Sequence, residues 1–110
     1  TISGAGGTDN LLGDVGNDVL SGGADADVLN GGGDNDSITG GEGNDIILGG
    51  DGVDKLYGNG GDDEIDGGTG VDFISGGNGN DLLLGGADND TITAGDGDDI
   101  IDAGAGNDLI

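Results

Sequence analysis

Residues Gly40–Leu48 read GGEGNDIIL and residues Gly76–Leu84 read GGNGNDLLL. Both are one unit, Gly-Gly-x-Gly-x-Asp-x-(Leu/Ile)-x, and stepping outward by nine keeps it in register from Gly4 to Ile110 without an insertion. Aspartate fills the sixth position of all twelve units: Asp9, Asp18, Asp27, Asp36, Asp45, Asp54, Asp63, Asp72, Asp81, Asp90, Asp99 and Asp108. The eighth position is always leucine or isoleucine, from Leu11, Leu20 and Leu29 through to Ile92, Ile101 and Ile110. All 31 glycines lie in the first four positions of a unit. Ile2 takes the eighth position of a preceding unit truncated to residues 1–3.

A fixed period of this kind marks a repeat architecture. Glycine tolerates positive φ and close backbone approach, so the first six residues of each unit suit a turn. The last three, such as Ile46-Ile47-Leu48 or Thr91-Ile92-Thr93, suit an extended strand. In a strand the middle side chain points opposite to its neighbours, so the eighth position faces inward and the seventh and ninth face out. Two units then make one coil. The expected fold is all-β, a right-handed parallel β-roll (β-solenoid) of about six two-unit coils, forming a single domain over residues 1–110 and a rod about 29 Å long at one strand spacing per coil. Odd units line one edge and even units the other.

Composition states what such a coil lacks. Acidic residues number 24 against one base, Lys55, for a formal charge of −23, and Tyr57 and Phe73 are the only aromatics. Low hydrophobicity with high charge ordinarily gives a disordered chain. One inward aliphatic per nine residues is a small core, and glycine starts from an unusually free unfolded state. Stacked aspartates add repulsion, so a cation must be part of the fold. Calcium suits the donors, because it takes six to eight oxygens from carboxylates and carbonyls in flexible geometry, whereas magnesium demands strict octahedra and holds its water. With no His and no Cys, zinc, copper and iron–sulfur sites lack their preferred ligands. Ions between successive turns would number five per edge, about ten in all, and their charge nearly cancels the −23.

The unit resembles the RTX (repeats-in-toxin) nonapeptide, the hemolysin-type calcium-binding repeat. The resemblance implies that sixth-position aspartates of neighbouring turns share each ion with main-chain carbonyls of the glycine loop. Those carbonyls belong to Gly22, Gly23, Gly31, Gly32, Gly40, Gly41, Gly43, Gly49, Gly50, Gly52, Gly67, Gly68, Gly70, Gly76, Gly77, Gly79, Gly85 and Gly86. It also implies a secreted bacterial protein, extracellular or at the cell surface, exported by type I secretion. The chain departs from the unit in places. Asp25, Asp34 and Asp88 replace the fourth-position glycine, Asp14 and Asn59 the second, and Ala94 and Ala103 the first. Sites using those turns are expected to be weaker or differently ligated.

Several other readings are excluded or disfavoured. A surface this acidic repels nucleic acid phosphates and anionic lipid, and no apolar run is long enough to span a membrane. No EF-hand spacing occurs. Asn35-Asp36-Ser37 and Asn89-Asp90-Thr91 match a glycosylation sequon but fall in metal turns and read as chance. An enzyme is not expected: one Lys and four serines without a His or Cys offer no nucleophile–base pair. The outer positions are too irregular for an ice-binding array. The chain opens at Thr1 and is expected to be a processed product or a segment of something longer.

The outer faces differ. On the odd-unit face seven of twelve side chains are aliphatic: Leu12, Val28, Ile46, Leu48, Leu82, Leu84 and Ile100. The even-unit face is mostly polar. Two functions follow as expectations: a module that folds on calcium after export, or a building block of a surface layer, fibre or adhesin that self-associates through the aliphatic face.

Overall fold

The computed structural model describes residues 1–110 and contains strands and no helix. Twelve strands run in chain order: β1 (Ile2–Gly6), β2 (Asn10–Leu12), β3 (Val19–Ala24), β4 (Val28–Gly33), β5 (Ser37–Glu42), β6 (Ile46–Asp51), β7 (Lys55–Gly60), β8 (Glu64–Thr69), β9 (Phe73–Asn78), β10 (Leu82–Ala87), β11 (Thr91–Asp96) and β12 (Ile100–Asp102). They form two six-stranded sheets, β1-β3-β5-β7-β9-β11 and β2-β4-β6-β8-β10-β12. Every pairing is parallel, and every partner lies 18 residues away, as in Leu29↔Ile47 and Ile38↔Leu56. The fold is a β-solenoid of about six coils, as the period of nine requires. The first sheet carries the even-unit face and the second the odd-unit face.

The strands are longer than the sequence suggests. Nine of the twelve run six residues, from the seventh position of one unit through the third of the next. The turn is therefore confined to positions four to six. Ile46–Asp51 alternates exposed, buried, half-buried, buried, half-buried and exposed, so the first-position Gly49 faces inward beside Ile47. Glycine at the first position belongs to the strand, and its selection has a different cause from that of the turn glycines.

The core is one aliphatic ladder per sheet. Leu11, Leu20, Leu29, Ile38, Ile47, Leu56, Ile65, Ile74, Leu83 and Ile92 are buried, and Ile2 and Ile101 pack partly buried against them. Ile2 pairs with Leu20, which gives it the place expected of a truncated unit. Ile110 departs from the pattern: it lies 70% exposed beyond the last strand. Each coil stacks flat on its neighbours, and the molecule measures 37 × 33 × 12 Å, a thin slab rather than a rounded core.

Candidate metal centre

Positive φ is restricted to two positions of the unit. All 23 residues with positive φ occupy position two or four, 17 of them glycine. The six others are Ala5, Asp14 and Asn59 at position two, and Asp25, Asp34 and Asp88 at position four. Asp and Asn are enriched among the non-glycine residues that adopt this region, so five of the substitutions keep the positive φ of their position. Ala5 (φ 80°) is the exception, and it lies on the edge strand β1.

The first position has another requirement. A Cβ on Gly22 would lie 2.5 Å from Asp27 Oδ2 and 2.7 Å from the carbonyl oxygen of Gly40, one coil on. Gly49 is held in the same way by Asp54 Oδ2 and the Gly67 carbonyl, and Gly67 by Asp72 Oδ2 and the Gly85 carbonyl. Glycine here leaves room for a carboxylate oxygen and a carbonyl oxygen to converge inside the edge of the slab. Ala94 and Ala103, which carry a methyl at this position, lie on or directly after the edge strands β11 and β12.

The sixth-position aspartates form two columns along the edges. In one, the amides of Asp9, Asp27, Asp45, Asp63 and Asp81 donate to Oδ1 of Asp27, Asp45, Asp63, Asp81 and Asp99 at 2.7–2.9 Å. In the other, Asp18, Asp36, Asp54, Asp72 and Asp90 donate to Oδ1 of Asp36, Asp54, Asp72, Asp90 and Asp108 over the same range. The second carboxylate oxygens have no such partner. Oδ2 of Asp9, Asp27, Asp36, Asp45, Asp54, Asp63, Asp72, Asp81 and Asp90 is buried and accepts no hydrogen bond. Buried polar atoms are ordinarily paired, so nine equivalent unpaired carboxylate oxygens fit a cation as their partner.

Electrostatics point the same way. Burial pushes the Asp63 carboxyl up to about 7 and that of Asp72 up to about 6, the amide from the preceding coil opposes the rise, and neighbouring carboxylates add to it. Asp36, Asp45, Asp54, Asp81 and Asp90 are raised by the same leading cause. The columns resist holding their full negative charge unless a cation offsets it.

Main-chain oxygens also line the gaps between coils. The second-position carbonyl of Gly23 is directed at Gly41 in the next coil, and the fourth-position carbonyl of Gly43 at Gly61. Second-position carbonyls of Asp14 and Gly86 accept amides from Gly33 and Ala105. No three His, Cys, Asp or Glu side chains converge on one point, so carbonyls must supply much of any coordination sphere. Buried carboxylate oxygens with inter-coil carbonyls, and no nitrogen or sulfur, fit a hard cation with an adaptable shell.

One element of the edges was missed in the sequence. Fifth-position Asn and Asp side chains accept the fifth-position amide one coil on: Asn17 from Asn35, Asn35 from Val53, Asn44 from Asp62, Asp62 from Asn80, Asn80 from Asp98 and Asn89 from Asn107. The signal was present, since eight of the twelve fifth positions are Asn or Asp. On the even edge Val53 and Val71 interrupt this ladder.

No curated protein and no solved structure matches the chain. A family model described as the RTX calcium-binding nonapeptide repeat (4 copies) matches residues 3–38, 39–74 and 75–110. Each match is four units long, and together they span nearly the whole chain in the register of the two aspartate columns. The chain therefore belongs to the RTX calcium-binding nonapeptide repeat family, whose repeats are structural calcium-binding modules.

Proposed function

We propose that this roll is the calcium-dependent folding module of a secreted bacterial protein, unfolded where calcium is scarce and folded by it after export. The observation that carries the reading is the two columns of buried, unpartnered aspartate Oδ2 atoms. Successive sixth-position aspartates of one column, Asp27 with Asp45 or Asp36 with Asp54, would hold an ion between coils. Carbonyls of the first-, second- and fourth-position glycines, such as Gly40, Gly41 and Gly43, would join them. Five intervals per column accommodate about ten ions, which would bring the formal −23 to about −3. Bound calcium supplies charge neutralisation and cross-links between coils, while the chain's own residues set the spacing.

An acidic, glycine-rich chain with so thin a core remains extended without its cations, which suits passage through a secretion channel. Folding on binding makes the metal's affinity part of the stability. Circular dichroism tests the reading directly: a disordered spectrum in chelator at neutral pH and β structure in millimolar calcium, with magnesium a poor substitute. A compact β spectrum in excess chelator would overturn it.

A second reading, a building block of an extracellular assembly, draws on the exposure of Leu12, Ile46 and Ile100 on the second sheet. That face is not a continuous stripe: Glu64 and Asp66 sit in register between Ile46 and Leu48 on one side and Leu82 and Leu84 on the other.

A further inference from the structure

The first sheet carries a groove that the repeat does not account for. Its third-position row reads Glu42, Gly60, Asn78 and Asp96, one residue per coil and in register, and its second-position row reads Gly41, Asn59, Gly77 and Gly95 alongside. Gly60 omits a side chain between Glu42 and Asn78, and Gly77 and Gly95 omit theirs beside Asn59. The result is a recess of about 440 Å³ with no apolar residue in its lining. Glu42, Asn59, Asn78 and Asp96 border it, and none of these four side chains forms a hydrogen bond or ion pair within the roll. The matching row of the second sheet is closed on itself, since Thr69 donates there to Asp51 at 2.8 Å. Hydroxyls run beside the groove: the ninth positions of the first sheet are Ser3, Ser21, Thr39, Tyr57, Ser75 and Thr93, aligned strand by strand. The second sheet has leucine at three of its six. Tyr57 projects from the same face of β7 as Asn59 and packs at 5.9 Å between ring centroids on Phe73, which is 39% exposed.

From this arrangement we infer that the groove binds a neutral oligosaccharide, laid in extended form across the strands of the first sheet. A lining without apolar side chains offers nothing to a hydrophobic ligand. The carboxylates of Glu42 and Asp96, in a chain of formal charge −23, repel an anionic one. Sugar hydroxyls both donate and accept, and the groove answers both needs. Its carboxylates accept, while the amides of Asn59 and Asn78 and the neighbouring hydroxyls do either. The Tyr57–Phe73 pair adds an aromatic surface for the C–H face of a sugar ring beside those polar groups. The spacing suits a chain of such rings. Strands repeat at about 4.8 Å, close to the length of one sugar in an extended chain, so successive rings meet successive coils. From Glu42 to Asp96 the row crosses Gly60 and Asn78, which leaves room for about three sugars at that repeat.

Calorimetric titration with cellotetraose in millimolar calcium tests it, with circular dichroism run on every variant to report folding separately. The wild-type chain should bind saturably, with a dissociation constant on the order of 1 mM or tighter. Gly60→Asn fills the recess with the side chain that the next coil already carries at Asn78. A Cβ at Gly60 meets nothing nearer than Glu42 Oε2 at 3.4 Å, and its φ is not positive, so this variant should keep its β spectrum and lose the sugar. Asn59→Gly restores the usual second-position residue and should weaken binding roughly two- to tenfold through the lost amide. Gly33→Asn makes the same change on the second sheet, where a Cβ meets nothing within 4 Å, and should leave the affinity unchanged. Absence of saturable binding in a roll that is folded by circular dichroism, affinity indifferent to Gly60→Asn, or equal affinity for a tetrasaccharide of uronic acids would each overturn the assignment.

Discussion

Asp45 donates its amide to Oδ1 of Asp63, 18 residues on, at 2.8 Å, while Oδ2 of the same Asp63 carboxylate is buried without a partner. One oxygen sets the spacing of the coils, and the other is free of any protein partner and suits a cation. This division of labour is repeated down both edges.

The amide-accepting aspartates should outweigh other acids in calcium binding. Asp45→Asn and Asp81→Asn lie inside a column and should weaken two neighbouring sites each, with a higher calcium midpoint in titrations followed by circular dichroism. Glu64→Gln and Asp66→Asn point outward and should leave the midpoint nearly unchanged. Equal effects from both pairs would mean that total charge, and not ligand geometry, governs binding.

First-position glycines away from the edge strands should tolerate no methyl. Gly22→Ala places a Cβ 2.5 Å from Asp27 Oδ2 and 2.7 Å from the Gly40 carbonyl, and overpacking of this kind costs roughly 1–3 kcal/mol. Gly33→Ala is the control, because its Cβ meets nothing within 4 Å and its φ is not positive. It should be neutral or gain about 0.4–1 kcal/mol through the unfolded state. Thermal melts in calcium distinguish the two.

Acid should act oppositely on the metal-free and calcium-loaded chains. The Asp63 carboxyl stands near 7 and that of Asp72 near 6 in the folded roll, against 3.8 ordinarily. In the metal-free chain the folded state then binds protons more tightly than the unfolded one. Its stability is greatest near pH 4 and falls as pH rises toward 7. Calcium requires the ionised carboxylates, so its affinity should drop by about tenfold per pH unit below 7 at sites led by Asp63. Titrations in chelator and in calcium between pH 4.5 and 7.5 should show these opposed trends, and parallel trends would contradict the assignment.

Val71→Asn should extend the fifth-position ladder on the even edge by giving the amide of Asn89 an acceptor. A gain of about 0.5–1.5 kcal/mol in calcium is expected, read as a higher melting temperature.

The period of nine made the coil, the sheet pairing and the inward aliphatics legible, because a register of 18 leaves only one way to stack them. Ile2 could be placed for the same reason. The sequence was less informative about why glycine is chosen at each position. Gly49 and Gly52 look alike in the repeat, yet Gly49 is inward strand beside Asp54 Oδ2 and Gly52 takes a φ of 149° in the turn. Residue type alone does not distinguish a need for space from a need for unusual torsion. The Asn17–Asn35–Val53 ladder was overlooked because its partners are a coil apart, where neighbouring residues give no hint of contact. Charges on the second sheet were readable one by one, but the break made by Glu64 and Asp66 in the aliphatic face emerges only from cross-strand register.

The 18-residue register also restricts how such a molecule can lengthen over generations. Duplicating two units inserts a whole coil, and every downstream residue keeps its sheet, its edge and its outward neighbours. Duplicating one unit would move each later strand to the opposite sheet, exchanging the Lys55 face for the Glu64 face from that point on. A gene that grows by tandem copying therefore preserves two distinct faces only when it grows in even steps, while the interior, identical on both sides, is indifferent to the count.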